Sequence, residues 1–336
     1  MLKLRRGTVV SEDPLTVQVG GERRPAWADP RLVGEVRDGD EVVVNTEALD
    51  LGLGSGGFDV VHANLTRGME GGGTGSAHVM KLNYTSLQHP VQPVERSDES
   101  VERDAVGAPP VLVIPLHGHL APAAWAAEQA APGSRLGYVQ TWGGALPGAM
   151  SRDAATLRQR GLLAGQITAG PAYGGEMEAI SVAGALDAAA GLGWQAVIAG
   201  PGPGILGSET RYGHGGMAAL DSTHAALALG LPALVSPRLS EADPRSHHRG
   251  LSHHTRTVLG LLLAGVQVPL PEGEAAAEIE AAIPEPHRAT THAADLDGYA
   301  ASGLPAEVMG RTLDQDRLFF AAPLAAGTAL AAAARG

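Results

Sequence analysis

The rhythm of hydrophobic and polar positions changes once along the chain. Up to about residue 85, apolar residues alternate with polar ones in short runs at 7–10, 15–19, 34–36 and 41–45, with Asp38-Gly39-Asp40 as a turn. Period-two alternation with closely spaced turn residues predicts short strands closing into a small barrel or sandwich. The glycine-dense stretches 52–57 and 68–75 read as long hairpin connections, and 79–82 as a further strand. Residues 88–110 carry four prolines and the charged stretch 95–104, with no helical stripe. They read as a linker.

From residue 111 onward, continuous apolar runs alternate with alanine-rich, helix-periodic stretches. The runs 111–116, 136–141, 166–169, 196–199, 233–236 and 266–270 suit buried parallel strands. The stretches 121–131, 152–163, 176–190, 217–229 and 253–264 suit the helices between them. This order predicts an α/β domain: a doubly wound parallel sheet of about six strands with helices on both faces. Residues 272–336 read as mostly helical, broken at Pro284, Pro286, Pro305 and Pro323, and closing one edge of the sheet. The expected organisation is a small β domain over 1–87, a linker over 88–110 and an α/β domain over 111–336.

Composition narrows the chemistry. The formal net charge of −12 carries no basic footprint for nucleic acid. The chain has no cysteine, which excludes disulfides, thiolate metal ligands and a cysteine nucleophile. No apolar stretch follows the N-terminal Met-Leu-Lys-Leu-Arg-Arg, and no run is long enough to cross a bilayer. The expectation is a cytoplasmic, homo-oligomeric protein that engages neither membrane nor nucleic acid.

In open α/β sheets, ligands sit at the carboxyl ends of the strands. Here those ends gather glycine, histidine and arginine. The loop after the fourth strand contains Gly200, Gly202, Gly204 and Gly207. Exposed amides in such a loop can cradle an anion. The last three match G-x-G-x-x-G, but without the following helix and acidic residue of a dinucleotide site; a tight structural crossover is the plainer reading. Residues 243–254 read DPRSHHRGLSHH, four histidines and two arginines in twelve residues. Ser252 is placed to cap a helix whose first turn holds His253 and His254, and the helix dipole there favours neutral imidazoles. Arg238, Arg245 and Arg249 are candidates for pairing with carboxylate or phosphate. His117 and His119 stand two apart at the end of the first strand, and in an extended backbone both would face one side, as ligands of a divalent metal do. Glu176 and Glu178 are expected to open the third helix, with Glu176 as an orienting carboxylate. Asp221 and His224, at i and i+3, are placed to hydrogen-bond each other.

Gly144-Ala145-Leu146-Pro147, Ile167-Thr168-Ala169-Gly170 with Gly174-Gly175-Glu176, Gly202-Pro203-Gly204-Ile205 and the run 243–254 together resemble a bacterial family of undefined function, domain-of-unknown-function family 3866. The resemblance covers most of the chain to about residue 270. It implies a bacterial protein of this architecture and assigns no reaction. A partial likeness, over about 40 residues, links Val197–Pro201, Arg211-Tyr212-Gly213 and the stretch 229–233 to component B of glycine, sarcosine or betaine reductase. It implies a shared strand–loop–helix for a small carboxylate-bearing ligand, without that system's cysteine or selenocysteine chemistry.

Three functions follow as expectations. The first is an enzyme or enzyme-like protein that binds a small anionic metabolite. The glycine loop, Arg238, Arg245, Arg249 and His254 would bind it, His248 and His253 would act as acid–base groups, and Glu176 would orient them. The second is a metal-dependent hydrolase using His117, His119 and members of the 247–254 cluster, with a divalent metal as its cofactor. The third is a non-catalytic sensor or assembly protein.

Overall fold

A computed structural model describes residues 1–52, 57–71, 77–95 and 108–335. The chain divides into two compact units, Met1–Gln92 and Pro93–Gly336. The boundary therefore falls inside the expected linker, most of whose charged stretch lies outside the described residues, as do the centres of the two glycine-dense stretches.

The first unit is a closed barrel. Its strands are β1 (Leu4–Glu12), β2 (Leu15–Val19), β3 (Glu22–Trp27), β4 (Glu41–Asn45) and β5 (Asp59–Asn64), in the order β1-β2-β3-β5-β4. All pairs are antiparallel except β3–β5. The alternating residues Val9, Val17, Val19, Val42, Val44 and Val61 fill its core. The expected strand at 34–36 is absent. Asp29 caps a short helix, α1 (Pro30–Val33), which Gly34 ends at a φ of 75°. A second short helix, α2 (Glu47–Asp50), precedes β5. A separate hairpin pairs β6 (Val79–Lys81) with β7 (His89–Val91), so the start of the expected linker is strand.

The second unit holds an eight-stranded parallel sheet. In chain order its elements are β8 (Val111–Val113), α3 (Leu120–Ala130), β9 (Leu136–Thr141), α4 (Arg152–Gln159), β10 (Gly165–Ala169), β11 (Met177–Ala179), α5 (Val182–Gly191), β12 (Ala196–Pro201), α6 (Ala218–Ala228) and β13 (Ala233–Val235). There follow β14 (Leu239–Ser240), β15 (Gly250–Leu251), α7 (His253–Leu259), β16 (Gln267–Pro271), α8 (Ala276–Ala281), β17 (Arg288–His292), α9 (Leu296–Ala301), the small hairpin β18 (Glu307–Val308) and β19 (Arg311–Thr312), and α10 (Arg317–Ala333). The sheet order is β11-β10-β9-β12-β8-β13-β16-β17.

The expected six strands are the inner six, and the other two are the edges. Edge strands lack the apolar signature of a buried one: β11 has three residues, and β17 reads Arg-Ala-Thr-Thr-His with none of them buried. The winding is also less regular than expected, because β12 returns between β8 and β9. Residues on alternate faces of the strands enter different cores. Leu112 and Ile114 pack with α3, α4, α9 and α10, whereas Val111 and Val113 pack with α5 to α8. Helix α10 lies on a sheet face, packed along α3, and does not close an edge. It runs through Pro323 unbroken. Its burial offsets the hydrogen bond that proline removes.

Gly137 shows how tightly this sheet is fitted. A Cβ there would lie 1.7 Å from the ring of Trp194, which is itself fully buried. Gly137→Ala should therefore destabilise the protein by about 1–3 kcal/mol or more. Urea unfolding would measure it, and a loss under about 0.5 kcal/mol, the usual range of neutral surface changes, would contradict this packing.

Candidate functional site

The carboxyl ends of β8, β12 and β13 lie side by side, and the segment after β13 builds a site over them. Strand β14 pairs antiparallel with β15, so residues 241–249 form a loop whose two stems are tied together. Ser252 N–H donates to the Arg238 carbonyl (3.0 Å), and Arg238 N–H to Thr255 Oγ1 (2.9 Å). Ser252 then caps α7 by accepting from His254 N–H (3.2 Å), as its position in the sequence predicts.

Asp243 is the centre of the loop and is fully buried. Its carboxylate accepts from Arg238 Nη2 and from both Nε and Nη2 of Arg245, each at 3.0 Å. Arg311 Nη2 stands 3.6 Å away. Burial opposes ionisation of Asp243, but the hydrogen bonds and charge of Arg245 and the charge of Arg238 hold it well below the usual carboxylate range. Burial pulls the Arg238 guanidinium down to about 10 against the pull of Asp243. A second buried carboxylate, Asp316, accepts from Ser240 Oγ (2.6 Å) and Arg311 Nε (3.0 Å). Arg249 Nε donates to the Asp243 carbonyl (2.9 Å).

Five imidazoles cluster beside this network. His214 stacks on His254 with ring centroids 3.6 Å apart, and His253 lies 4.4 Å from His254. His248 sits 4.5 Å from His247 and 4.8 Å from both His253 and His254. Burial, then the charges of Arg238 and Arg245, push His248 down to about 3. Burial, His214 and Arg238 push His254 down to about 2. His214 and His253 are lowered as well, first by burial. All four shifts favour the neutral ring, and their causes are burial and neighbouring charge rather than the helix terminus invoked for His253 and His254. His214 Nε2 donates to the Arg211 carbonyl (3.1 Å), which leaves its Nδ1 a bare lone pair. Among the described residues, six buried side-chain nitrogen or oxygen atoms lack a hydrogen-bond partner, and four of them surround this edge: His119 Nε2, His214 Nδ1, Arg238 Nε and Arg311 Nη2.

Other sequence candidates fall in different places. His117 and His119 lie in a 3-10 turn, not an extended strand end, so their rings diverge. His117 Nδ1 donates to the Pro201 carbonyl (3.2 Å), and its Nε2 faces Ser151 Oγ (3.0 Å). His119 Nδ1 meets Ser236 Oγ (2.9 Å), at the end of β13. Glu176 does not open a helix: Ser181 caps α5, and residues 177–179 form the edge strand instead. Glu176 binds Arg158 (2.5 Å) and Gln166 N–H (3.0 Å) beside β10, four strands from β13. The structure does not bring it to the histidines, and the buried carboxylate of the 241–249 loop, Asp243, binds arginines. Asp221 and His224 do not bond each other: Asp221 accepts from Trp142 Nε1 (2.9 Å), and His224 Nε2 from Leu263 N–H (3.3 Å).

The glycine loop is closely packed backbone. A Cβ on Gly200 would strike Ile114, and one on Gly202 would strike the Ala145 carbonyl. Gly143 and Gly215 touch backbone to backbone across the loop. Gly204 has a φ of 71°, and Gly207 bridges to His214. The loop thereby carries His214 onto His254. Arg311 and Asp316 went unnoticed in the sequence because they lie far along the chain from Asp243 and match no local motif.

His119, His248 and His254 set an acid limit on stability. Burial is the first cause lowering each of them, His119 and His248 to about 3 and His254 to about 2. Below the unfolded value near 6.5, the unfolded chain takes up protons that the folded chain refuses. Stability should be greatest above pH 6.5 and fall as pH drops, by about 1.4 kcal/mol per pH unit for each such ring. Urea unfolding at pH 7.5, 6.5 and 5.5 should show the fall, with a shallower slope in His119→Asn. Stability that is flat over this range would contradict it.

The family model described as "Protein of unknown function (DUF3866)" matches residues 25–327. No curated protein and no solved structure matches the chain, and the likeness to reductase component B is not shown. Among the described residues no helix is long and apolar enough to cross a membrane. The match spans the last part of the barrel and nearly all of the second unit, with its polar edge, and the chain belongs to the DUF3866 family.

Proposed function

We propose that the carboxyl edge of the second unit binds a small anionic molecule, with His248 and His253 as acid–base groups beside it. The observation that carries this reading is the concentration of buried, unpartnered polar atoms at one place. Buried donors and acceptors are normally paired, and each one left unpaired costs about 1–3 kcal/mol. Arg311 Nη2 has the Asp243 carboxylate at 3.6 Å, which leaves His119 Nε2, His214 Nδ1 and Arg238 Nε at this edge as groups suited to a ligand. Charge points the same way. Among the described residues, Arg238, Arg245 and Arg311 pair with two buried carboxylates, Asp243 and Asp316, while Arg249 bonds the Asp243 backbone carbonyl. The neutral rings add lone pairs and N–H groups without adding charge, and an anion bound beside them would raise their pKa toward the range that suits proton transfer. Arg245 and Arg249 lie at the solvent side and would make first contact, while His254 and Arg238 line the floor.

Thermal unfolding with inorganic phosphate, a dicarboxylate and a sugar phosphate as probes tests the reading. At about a hundredfold its Kd, a binding anion adds about 2.7 kcal/mol and should raise Tm by roughly 5–10 °C. Arg249→Ala, which removes an exposed cation, should cut that shift at fixed ligand concentration. If none of the probes moves Tm, or if Arg249→Ala responds as the wild type does, the edge is not an anion site of this kind.

A further inference from the structure

We propose that His247, His248 and His253 form a site for a divalent transition metal of the zinc class, open to solvent on one side. This goes beyond the anion reading and does not depend on it, because the three rings would load metal with or without an anion present; with metal bound, His248 and His253 serve as ligands, and their acid–base role belongs to the metal-free site.

One ring nitrogen from each residue lies within 4.8 Å of the others. The ring centroids are 4.5, 4.6 and 4.8 Å apart. In a tetrahedral centre with metal–nitrogen bonds near 2.0–2.1 Å, the nitrogens would stand about 3.4 Å apart. Closing the difference takes about an ångström of side-chain rotation, and His247 is exposed and free to make it. None of the three rings hydrogen-bonds another among the described residues, so a shared cation is what their convergence best serves.

The backbone under the rings is fixed. His247 and His248 come from a 3-10 turn closed by His248 N–H to the Arg245 carbonyl (3.0 Å) and Arg249 N–H to Ser246 (3.0 Å). His253 is in the first turn of α7. Ser252 Oγ meets His248 Nδ1 at 2.7 Å, which orients that ring and leaves Nε2 for a metal. Outer hydrogen bonds of this kind set the tautomer of a ligating imidazole. Three nitrogen donors with no carboxylate among them suit zinc and its neighbours, not magnesium or calcium. The guanidiniums of Arg238 and Arg245 would repel a cation, but Asp243 holds both at 3.0 Å and its single negative charge offsets one of their two. A metal on three neutral ligands keeps its double charge. Its open position therefore favours hydroxide or an anion, at the edge where the guanidiniums stand.

The test uses the full chain without a histidine tag, loaded with zinc chloride, desalted and analysed for metal. The wild type should retain about one equivalent, as a structural or catalytic zinc site does. His247→Ala alters an exposed side chain and should keep the apo melting temperature while losing at least about tenfold in zinc affinity. His253→Ala should lose as much, and cobalt(II) should give the wild type the visible spectrum of a tetrahedral ion. Retention below about a tenth of an equivalent would overturn the site. So would zinc uptake by His247→Ala equal to that of the wild type. Anion-induced shifts in Tm, measured on the metal-free wild type, report on the anion reading separately.

Discussion

The site rests on the contact between Arg238 and Asp243 in the interior of the second unit. Both side chains are almost wholly buried, and an isolated pair of this kind would not repay the desolvation of its two charges. The arrangement holds because Asp243 gathers further donors: Arg245 grips it with two nitrogens, its oxygens take a backbone N–H, and Arg311 approaches from the C-terminal hairpin. Arg249 closes the loop by binding the carbonyl of the same residue. One carboxylate thus fixes both the end of β13 and the loop that carries His247 and His248. Ser240 Oγ accepts from the Asp243 backbone N–H and donates to Asp316 at the start of α10, which extends the tie.

The chemistry of the edge follows from that arrangement. The guanidiniums are held close to the rings, and burial removes the water that would otherwise stabilise an imidazolium. Both effects favour the neutral form of His214, His248, His253 and His254, so these rings offer lone pairs rather than positive charge. The sheet contributes position. The carboxyl ends of β8, β12 and β13 are adjacent, and this is where connections leave toward opposite sides of the sheet, the place where α/β sheets hold their ligands. The glycine loop after β12 brings His214 over His254 by close backbone contact at Gly143 and Gly215.

Much of this was legible in the sequence, for identifiable reasons. The inner six strands are buried on both faces, and their uninterrupted apolar runs announce them. The edges β11 and β17 escape because an edge strand needs little apolar surface. The barrel is visible through alternation in β1, β2 and β4, whereas β3, with its consecutive arginines and a proline, hides it. At the site, the histidine-rich run and the Ser252 cap are local signals, and the structure gathers them as expected. Glu176 misleads because a glutamate after two glycines looks like a helix start when the next few residues form a short edge strand. His117 and His119 mislead because a two-residue spacing converges only in extended backbone, and a 3-10 turn separates the rings. Arg311 and Asp316 are invisible for a third reason: long-range ion pairs leave no pattern in the neighbouring residues.

Asp243 organises the whole edge, and Asp243→Asn tests this with little change of shape. The substitution keeps the side chain's size but leaves the buried Arg238 charge without its counter-ion. Equilibrium urea unfolding at neutral pH should show a loss of about 3–5 kcal/mol, the usual cost of breaking a buried pair from one side. A variant within about 0.5 kcal/mol of the wild type would mean that Asp243 does not organise the edge, and that the gathered histidines are held by something else.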